Sequence, residues 1–170
     1  MSGAMKQLFV LRHAKSSWKH PELDDHDRPL NKRGEHDAPR MGRLLREEKL
    51  LPDRIVSSTA ARARTTAEIL ADACGYDRNI VLSRQLYLAT PGECLALLAQ
   101  IPVEDESVML VGHNPGMEEL VELLTGRAES MPTAALARIA LPIDAWSSAT
   151  RDMGGDLLGL WRPKELPDAG

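Results

Sequence analysis

Arg12 and His13 stand side by side directly after the apolar run 8–11. This run, Leu-Phe-Val-Leu, is short and bounded by polar residues, which predicts a buried strand. In open α/β sheets, ligands bind just beyond the carboxyl ends of the strands. An arginine in that position offers a planar, permanently charged fork that suits phosphate, and a histidine offers a nucleophile or an acid/base. The pair therefore predicts an anion site with an imidazole available for chemistry.

A second histidine, His113, follows another apolar run, 108–111, in the same way. Gly112 precedes it and permits close approach of the backbone to a ligand. Residues 114–116, Asn-Pro-Gly, then lead into a predicted helix. The free N–H groups and the positive dipole end of a helix N-terminus favour an anion. This segment therefore predicts a second wall of an anion site.

The segment 57–67 supplies a second arginine by a similar route. A strand passes through Ser and Thr residues into a helix whose first turn carries Arg62. Three strand ends thus contribute two guanidinium groups and two imidazoles, from Arg12 and His13, Arg62, and His113. Such a set suits a tetrahedral dianion, because the arginines can hold the oxygens that are not transferred while one imidazole attacks phosphorus in line.

Composition limits the function classes that need to be considered. The chain has 170 residues, a net charge of -4 and 43% hydrophobic residues, which is typical of one soluble globular domain. Without a surplus of cations it is not expected to bind nucleic acid, and no apolar run is long enough to predict a membrane span or a signal peptide. Cys74 and Cys94 lack metal-type spacing and are expected to be free thiols. We expect a cytoplasmic monomer.

Strands and helices alternate along the chain, which favours an α/β fold of three layers, α/β/α, with a mostly parallel central sheet. The predicted strands are residues 8–11, 54–57, 80–82, 107–111, 136–141 and 157–161, and the predicted helices are residues 31–50, 60–73, 90–101 and 115–125. Asn31 is expected to cap the first helix, and Pro39 predicts that its first turns form a short helix of their own. Residues 1–6 are expected to be flexible, 7–161 to form one domain, and 162–170 to be a flexible tail.

Three motifs, in this order, resemble those of the histidine phosphatase superfamily. They are Leu-Arg-His-Ala at 11–14, Ser-Ser-x-x-x-Arg-Ala-x-x-Thr-Ala at 57–67, and Val-Gly-His-Asn-Pro at 111–115. The resemblance covers residues 7–161 and implies the phosphoglycerate mutase-like fold. Ala14 replaces the glycine that the family commonly has, which requires only that the backbone there avoid a positive φ. Arg28-Pro29-Leu30, Arg33-Gly34 and residues 132–135, Pro-Thr-Ala-Ala, are similar to the short SixA-type branch of phosphohistidine phosphatases.

The resemblance implies a role for each of the four residues. His13 would be the nucleophile that takes the phosphoryl group, Arg12 and Arg62 would hold its oxygens, and His113 would stabilise the phosphoryl group in transfer. Arg28 resembles an arginine at the pocket rim of SixA-type members. Ser16 and Asn114 are further candidates for contacting phosphate or substrate. No metal and no other cofactor is implied, because the arginines supply the charge that Mg²⁺ supplies elsewhere.

The proton donor is left open by these motifs. Glu93 is the nearest candidate, but Thr90-Pro91-Gly92-Glu93 also fits a capping box at a helix start, and we favour the cap. An alkoxide leaves poorly without an acid, whereas a protonated imidazole leaves readily as a neutral ring. A site without a clear acid therefore suits phosphoramidates such as phosphohistidine, or activated esters.

The sequence therefore favours a metal-independent phosphatase that acts through a phosphohistidine intermediate, with phosphohistidine of a protein as substrate. A phosphomonoesterase or mutase-like enzyme acting on a small phosphate ester is the alternative enzyme, and a weakly catalytic phosphoprotein-binding module is the alternative class. Residues of a type that can bind a metal also lie close together in the sequence: His20, His26 and His36, with Asp24, Asp25 and Asp27. Their spacing matches no metal-ligand motif, so we interpret them as a solvated face.

Overall fold

A computed structural model describes residues 4–151 and 153–167 of the chain. The strands are β1 (Lys6–Arg12), β2 (Arg54–Ser58), β3 (Val81–Ser83), β4 (Ser107–Gly112), β5 (Leu136–Leu141) and β6 (Asp156–Trp161). The helices are α1 (Lys32–Glu47), α2 (Ala61–Cys74), α3 (Pro91–Leu98) and α4 (Gly116–Thr125). Short 3-10 turns lie at Asp25–Asp27, Arg84–Leu86, Trp146–Ser148 and Pro163–Glu165. Every strand and helix predicted from the sequence is present, with ends shifted by a few residues.

The six strands form one sheet in the order β3-β2-β4-β1-β5-β6. β1, β2, β3 and β4 pair in parallel, while β5 is antiparallel to both β1 and β6. Because β1 and β4 lie side by side with Arg12 opposite Gly112, the chain segments that follow them leave the same edge of the sheet. β2 lies on the other side of β4 and ends at the same edge. The mostly parallel sheet predicted from the sequence is confirmed.

Helices cover both faces of the sheet, which confirms the three-layer α/β/α architecture. On one face Phe9 and Leu11 pack in a core cluster with residues of α1 and α2. On the other face Leu8 and Val10 pack with residues of α3 and α4. Successive residues of a strand point to opposite faces, so a strand covered on both sides must be apolar at every position. This requirement explains the uninterrupted run 8–11.

Helix α1 begins and ends as its residues predict, but it is not divided at Pro39. The Asn31 side chain accepts a hydrogen bond from the Gly34 N–H at 2.9 Å, as expected of an N-cap. The prediction of a separate short first helix is wrong, because α1 runs through Pro39 without a break. A proline removes a single N–H and its fixed φ is compatible with a helix. Packing of α1 against α2 on both sides of Pro39, at Ala38 and Met41, outweighs that loss.

The predicted domain limits lie close to packed structure at both ends. β1 begins at Lys6, and residues 1–3 lie outside the described part of the chain. Beyond β6, Leu166 packs against the core beside α1, and Arg40 donates a hydrogen bond to the Leu166 carbonyl at 3.3 Å. The packed chain therefore reaches at least Leu166, five residues past the predicted limit at 161. The flexibility of both ends stays a prediction.

The structure also describes the two cysteines and the lengths of the helices. Cys74 and Cys94 are both buried and unbridged, as predicted. Within residues 4–151 and 153–167, no helix has the length and apolar character needed to cross a bilayer.

Candidate active site

The four residues singled out in the sequence line one cavity at the carboxyl edge of the sheet. His13 follows β1, His113 follows β4, and Arg62 lies in the first turn of α2. The two imidazole ring centroids are 5.1 Å apart. The cavity has a volume of about 210 Å³ and is lined by Arg12, His13, Lys15, Ser16, Trp18, Arg28, Arg62, Leu88, His113, Asn114 and Thr133. Topology thus brings together residues that are up to about a hundred positions apart.

His13 is held in one tautomer by its own backbone neighbourhood. Its Nδ1 lies 2.7 Å from the Ala14 carbonyl oxygen, and a carbonyl can only accept, so Nδ1 carries the proton. Nε2 of the neutral ring is therefore left with its lone pair. Burial lowers the pKa of His13 to about 4, and the positive charges of Arg62, Arg12 and Arg28 act in the same direction. At neutral pH the ring is therefore uncharged, with the Nε2 lone pair free of a proton.

Ala14 is compatible with the backbone despite replacing a glycine. Positive φ angles at non-glycine residues occur elsewhere, at Lys49, Leu88 and Ala134, and not at Ala14. The Ala14 N–H donates to Thr66 Oγ1 at 3.0 Å, and the Thr66 hydroxyl donates to the Arg62 carbonyl. The first bond ties the chain after β1 to α2, and the second, within α2, holds the Thr66 hydroxyl in place. Together they set the distance between the backbone beside His13 and the helix that carries Arg62.

His113 is also buried and neutral. Its Nε2 lies 2.8 Å from Ser58 Oγ, while its Nδ1 is buried without a partner among the described residues. Burial lowers the pKa of His113 to about 3, with further lowering by His13 and Arg62. A buried polar atom without a partner is uncommon in proteins and needs an explanation. An oxygen of a bound ligand would provide the missing hydrogen bond.

Arg12 and Arg62 are both held in place by hydrogen bonds from their terminal guanidinium nitrogens. Arg12 Nη1 donates to the Met131 carbonyl at 3.1 Å. Arg62 donates from Nη1 to the Asp25 carbonyl at 2.6 Å and from Nη2 to the Asp25 carboxylate at 2.9 Å. The Nε of each arginine is buried and has no partner among the described residues. These unused donors match the requirement of a multiply charged oxyanion.

Arg28 joins the cavity from the loop between β1 and α1. Its Nη1 donates to Ser16 Oγ at 2.9 Å and its Nε to Asp25 Oδ1 at 3.2 Å. The guanidinium lies 3.5 Å from the ring centroid of Trp18, which stacks against it on the solvent side. An isolated bridge between Ser16 and Leu30 closes the base of this loop. Arg28 is thereby held at the cavity wall although its loop has no regular structure beyond a short turn.

The remaining candidates differ in how their side chains are used. Ser16 lines the cavity with its hydroxyl bonded to Arg28. Asn114 also lines the cavity, but its Nδ2 donates to the Glu118 carboxylate and the Met131 carbonyl, both at 2.8 Å. Its described contacts therefore hold the loop after β4 in place. A role for either residue in binding phosphate stays a prediction.

Glu93 is not among the residues that line the cavity. Its carboxylate accepts from the Thr90 N–H at 3.1 Å, and the Thr90 hydroxyl accepts from the Glu93 N–H at 3.2 Å. This is the capping box that the sequence favours for the start of α3. The Thr90 hydroxyl also donates to the Glu93 carboxylate at 3.0 Å, and the hydrogen bonds from the Thr90 N–H and hydroxyl hold the pKa of Glu93 below its usual value, so the group is ionised at neutral pH. Neither its position nor its ionisation suits a proton donor to this cavity.

Asp25 and Tyr87 were not predicted from the sequence, although both shape the site. The Tyr87 hydroxyl donates to Asp25 Oδ2 at 2.6 Å, and the Tyr87 ring packs edge-on against His113 at 5.5 Å. Burial alone would raise the pKa of Asp25, but hydrogen bonds from Tyr87 and Arg62 lower it to about 2. Asp25 is thus a permanent carboxylate between Arg28 and Arg62. The available signal was that arginines expected to meet at one anion site also need an acidic partner.

Asp25 and His26 are therefore not simply part of a solvated face, as the sequence had suggested. His26 Nε2 lies 2.8 Å from Thr59 Oγ1, and its ring packs against Tyr87 at 4.9 Å. His20, in contrast, is exposed. Among residues 4–151 and 153–167, no group of three or more His, Cys, Asp or Glu side chains is arranged to hold a metal ion.

Comparison of the sequence with known proteins matches one family profile and an uncharacterised relative. A family profile described as the histidine phosphatase superfamily (branch 1) matches residues 8–87. An uncharacterised chloroplastic protein of Arabidopsis thaliana is 33% identical over 153 residues, which is 85% of this chain and 70% of that protein.

Solved structures extend the likeness to the whole fold. A chain from Agrobacterium tumefaciens, assigned as phosphohistidine phosphatase SixA, is 33% identical with a TM-score of 0.80, and the match covers 93% of this chain and 98% of that one. The protein histidine phosphatase SixA in complex with tungstate also has a TM-score of 0.80, at 24% identity, over 93% and 97% of the two chains. The fold, the family profile and these relatives agree. The chain belongs to the histidine phosphatase superfamily, in its SixA-type branch.

Proposed function

We propose that this protein is a metal-independent phosphatase that removes the phosphoryl group from phosphohistidine of a protein, through a phosphohistidine intermediate on His13. The observation that carries the proposal is the state of His13. Its Nδ1 proton is held by the Ala14 carbonyl, and its lowered pKa of about 4 keeps Nε2 unprotonated. A pre-oriented, neutral imidazole beside two arginines has the requirements of a nucleophile for phosphorus.

The charge of the cavity supports binding of a phosphoryl dianion. Arg12, Arg28 and Arg62 line it, and each is a permanent cation with donors in a rigid fork. Their positive charge can stabilise the equatorial oxygens during transfer, which is the work that a metal ion does in many other phosphoryl-transfer sites. The partnerless Nδ1 of His113 offers one more contact to those oxygens. Turnover should therefore be unaffected by a metal chelator.

The lack of an acid supports a phosphoramidate substrate. No aspartate or glutamate is among the described residues that line the cavity. An alkoxide leaving group needs a proton as the bond to phosphorus breaks. A phosphohistidine side chain that carries a proton on its other ring nitrogen leaves instead as neutral imidazole. The substrate that requires no protein acid is therefore the one that this cavity suits best.

The reaction balances as two displacements. The Nε2 lone pair of His13 forms a bond to phosphorus while the substrate P–N bond breaks and its electron pair returns to the substrate imidazole. Water then attacks the phosphoryl group on His13. The new P–O bond forms as the P–Nε2 bond breaks, its electron pair returns to Nε2, and phosphate and a proton are released.

Trapping the intermediate tests the mechanism. The protein is mixed with a phosphohistidine peptide labelled in the phosphoryl group, quenched in alkali, which preserves phosphohistidine, and mapped by mass spectrometry. Label on His13 is expected in the wild type, and neither label nor turnover in His13→Ala. A control with a chelator should match the untreated enzyme. Unchanged turnover in His13→Ala would refute the proposal.

A comparison of substrates tests the leaving-group argument. The kcat/KM for a phosphohistidine peptide should exceed that for a phosphoserine peptide of the same sequence, and an aryl phosphate should lie between them. Equal or faster turnover of small alkyl phosphates would favour a small-molecule phosphomonoesterase instead. Tight binding of the peptide without turnover would favour a phosphoprotein-binding module.

A further inference from the structure

A second cavity opens beside the phosphate cavity and shares part of its wall. It has a volume of about 500 Å³, and Arg12, Lys15 and Thr133 line both cavities. Its outer wall is formed by Arg33 in the first turn of α1 and Lys164 in the 3-10 turn after β6. We call this second cavity the flanking groove. The two cavities therefore adjoin one another at Arg12, Lys15 and Thr133.

The flanking groove is strongly cationic although the chain as a whole is acidic. Four of its lining residues are Arg or Lys, and Glu118 is its one lining carboxylate in the described part of the chain. The Glu118 carboxylate accepts a hydrogen bond from the Asn114 amide at 2.8 Å. The net charge of the whole protein is -4. A concentration of positive charge on such a background focuses attraction for anions at this one place.

Several of these cations are available to a ligand. Lys15 and Lys164 are exposed and form no ion pair with any described residue. Arg33 is also exposed, and its Nε lies 3.6 Å from Asp37, a carboxylate that Arg40 contacts as well. Neither Arg33 nor Lys164 lines the phosphate cavity. Their charge is therefore directed to something other than the phosphoryl group.

We propose that the flanking groove is a specificity surface for acidic side chains that neighbour the phosphorylated residue on a partner protein. This proposal rests on the proposed function only because both take a phosphorylated protein as the substrate. Two observations favour a protein surface as the occupant. The groove has a greater volume than the phosphate cavity itself, and its cations come from three separate segments, after β1, in α1 and after β6. Several spaced carboxylates match this arrangement better than one compact anion.

Matched peptides test the proposal. Two phosphohistidine peptides are compared, one with Asp and Glu beside the phosphorylated residue and one with Asn and Gln at those positions. Exposed ion pairs are individually weak, so the wild type should prefer the acidic peptide by about three- to tenfold in kcat/KM, mainly through KM. The double variant Arg33→Gln, Lys164→Gln should lose most of that preference. Raising the salt concentration should reduce the preference in the wild type as well.

The control variant removes the same charge elsewhere. Lys19 and Lys32 are exposed and line neither cavity. Lys19→Gln, Lys32→Gln should keep the wild-type preference, and both double variants should hydrolyse p-nitrophenyl phosphate at the wild-type rate. An equal loss of preference in the two double variants would overturn the proposal, because general charge would then explain it. Equal turnover of the two peptides by the wild type would overturn it too.

A second pair of substrates separates this proposal from the proposed function. Acidic and neutral phosphotyrosine peptides carry an aryl phosphate, whose leaving group needs little acid. If phosphohistidine is not turned over but the acidic phosphotyrosine peptide is still preferred, the proposed function fails and the flanking groove proposal stands. If the wild type discriminates in favour of small bisphosphates and ignores peptide charge, the groove binds a second phosphate and the proposal fails.

Discussion

Acidification from pH 7 to pH 5 should destabilise this protein through the two buried histidines of the candidate site, His13 and His113. Burial lowers the pKa of His13 to about 4 and that of His113 to about 3, whereas histidine in an unfolded chain titrates near its ordinary pKa of 6.5. A folded pKa below the unfolded one means that the unfolded state binds more protons between these values. Stability is therefore highest above pH 6.5, falls as the pH drops below it, and levels off near the folded pKa values.

The magnitude follows from proton linkage. Between pH 7 and pH 5 each ring held neutral should lower the free energy of unfolding by about 2 kcal/mol, and the two together by about 4 kcal/mol. This figure depends weakly on the folded values, because any folded pKa well below 5 gives nearly the same result. The carboxylate of Asp25 hardly contributes in this range, since its folded pKa of about 2 and its ordinary value of 3.8 both lie below pH 5.

Urea unfolding at pH 7, 6 and 5 measures the effect, in buffers free of phosphate and sulfate because a bound anion would stabilise the folded state. His13→Gln and His113→Gln should each lose about 2 kcal/mol less than the wild type over this range. His36→Gln, at an exposed position on α1, should behave as the wild type does. If all four proteins lose the same stability, the rings are not held neutral by the fold. The premise that His13 is a ready nucleophile at neutral pH would then fail.

Three further substitutions test the phosphate-binding residues, the helix cap and the packing of the fold. Arg62→Lys keeps the charge but not the fork that contacts Asp25, so kcat for an aryl phosphate should fall by about a hundredfold; a value near wild type would remove Arg62 from the proposed mechanism. Glu93→Gln can still accept the cap hydrogen bond, so thermal stability and turnover should both be retained, and a large loss of turnover alone would make Glu93 the proton donor. Gly34→Ala would place a Cβ against the Lys15 carbonyl and should lower the free energy of unfolding by about 1–3 kcal/mol. In Gly92→Ala the Cβ would meet only the Thr90 hydroxyl, at an ordinary contact distance of 4.0 Å, and stability should not fall; equal stability of the two by urea unfolding would contradict the packing there.

Local sequence signals predicted much of this protein because they describe interactions between near neighbours. Asn31 and Thr90 cap helices through hydrogen bonds to residues three positions away. The uninterrupted apolar runs at 8–11 and 108–111 identify strands covered on both faces. Since parallel strands end at one edge of a sheet, the residues that follow those runs could be expected to meet there.

Contacts between distant segments were not accessible in the same way. Asp25 meets Arg62 across 37 positions and Tyr87 across 62, and the loop that carries Asp25 has almost no periodic pattern. Its path is fixed by tertiary bonds, including the Ser16 bridge to Leu30 and the stacking of Arg28 on Trp18. Pro39 shows that packing between distant segments can also override a local signal. A local helix breaker was tolerated because packing against α2 supplies more than the lost hydrogen bond.

The sequence alone thus determined the family and the layered fold, and it identified the candidate site residues at three strand ends, because each rests on residue type and short spacing. The tertiary structure decided the protonation of His13 and His113, since a pKa depends on burial and on charges that several elements bring together. It also decided which carboxylates reach the site. Asp25 binds two of its arginines, while Glu93 stays with its own helix as a cap. Which acid faces which base is a property of the folded path of the chain, and residue spacing does not encode it.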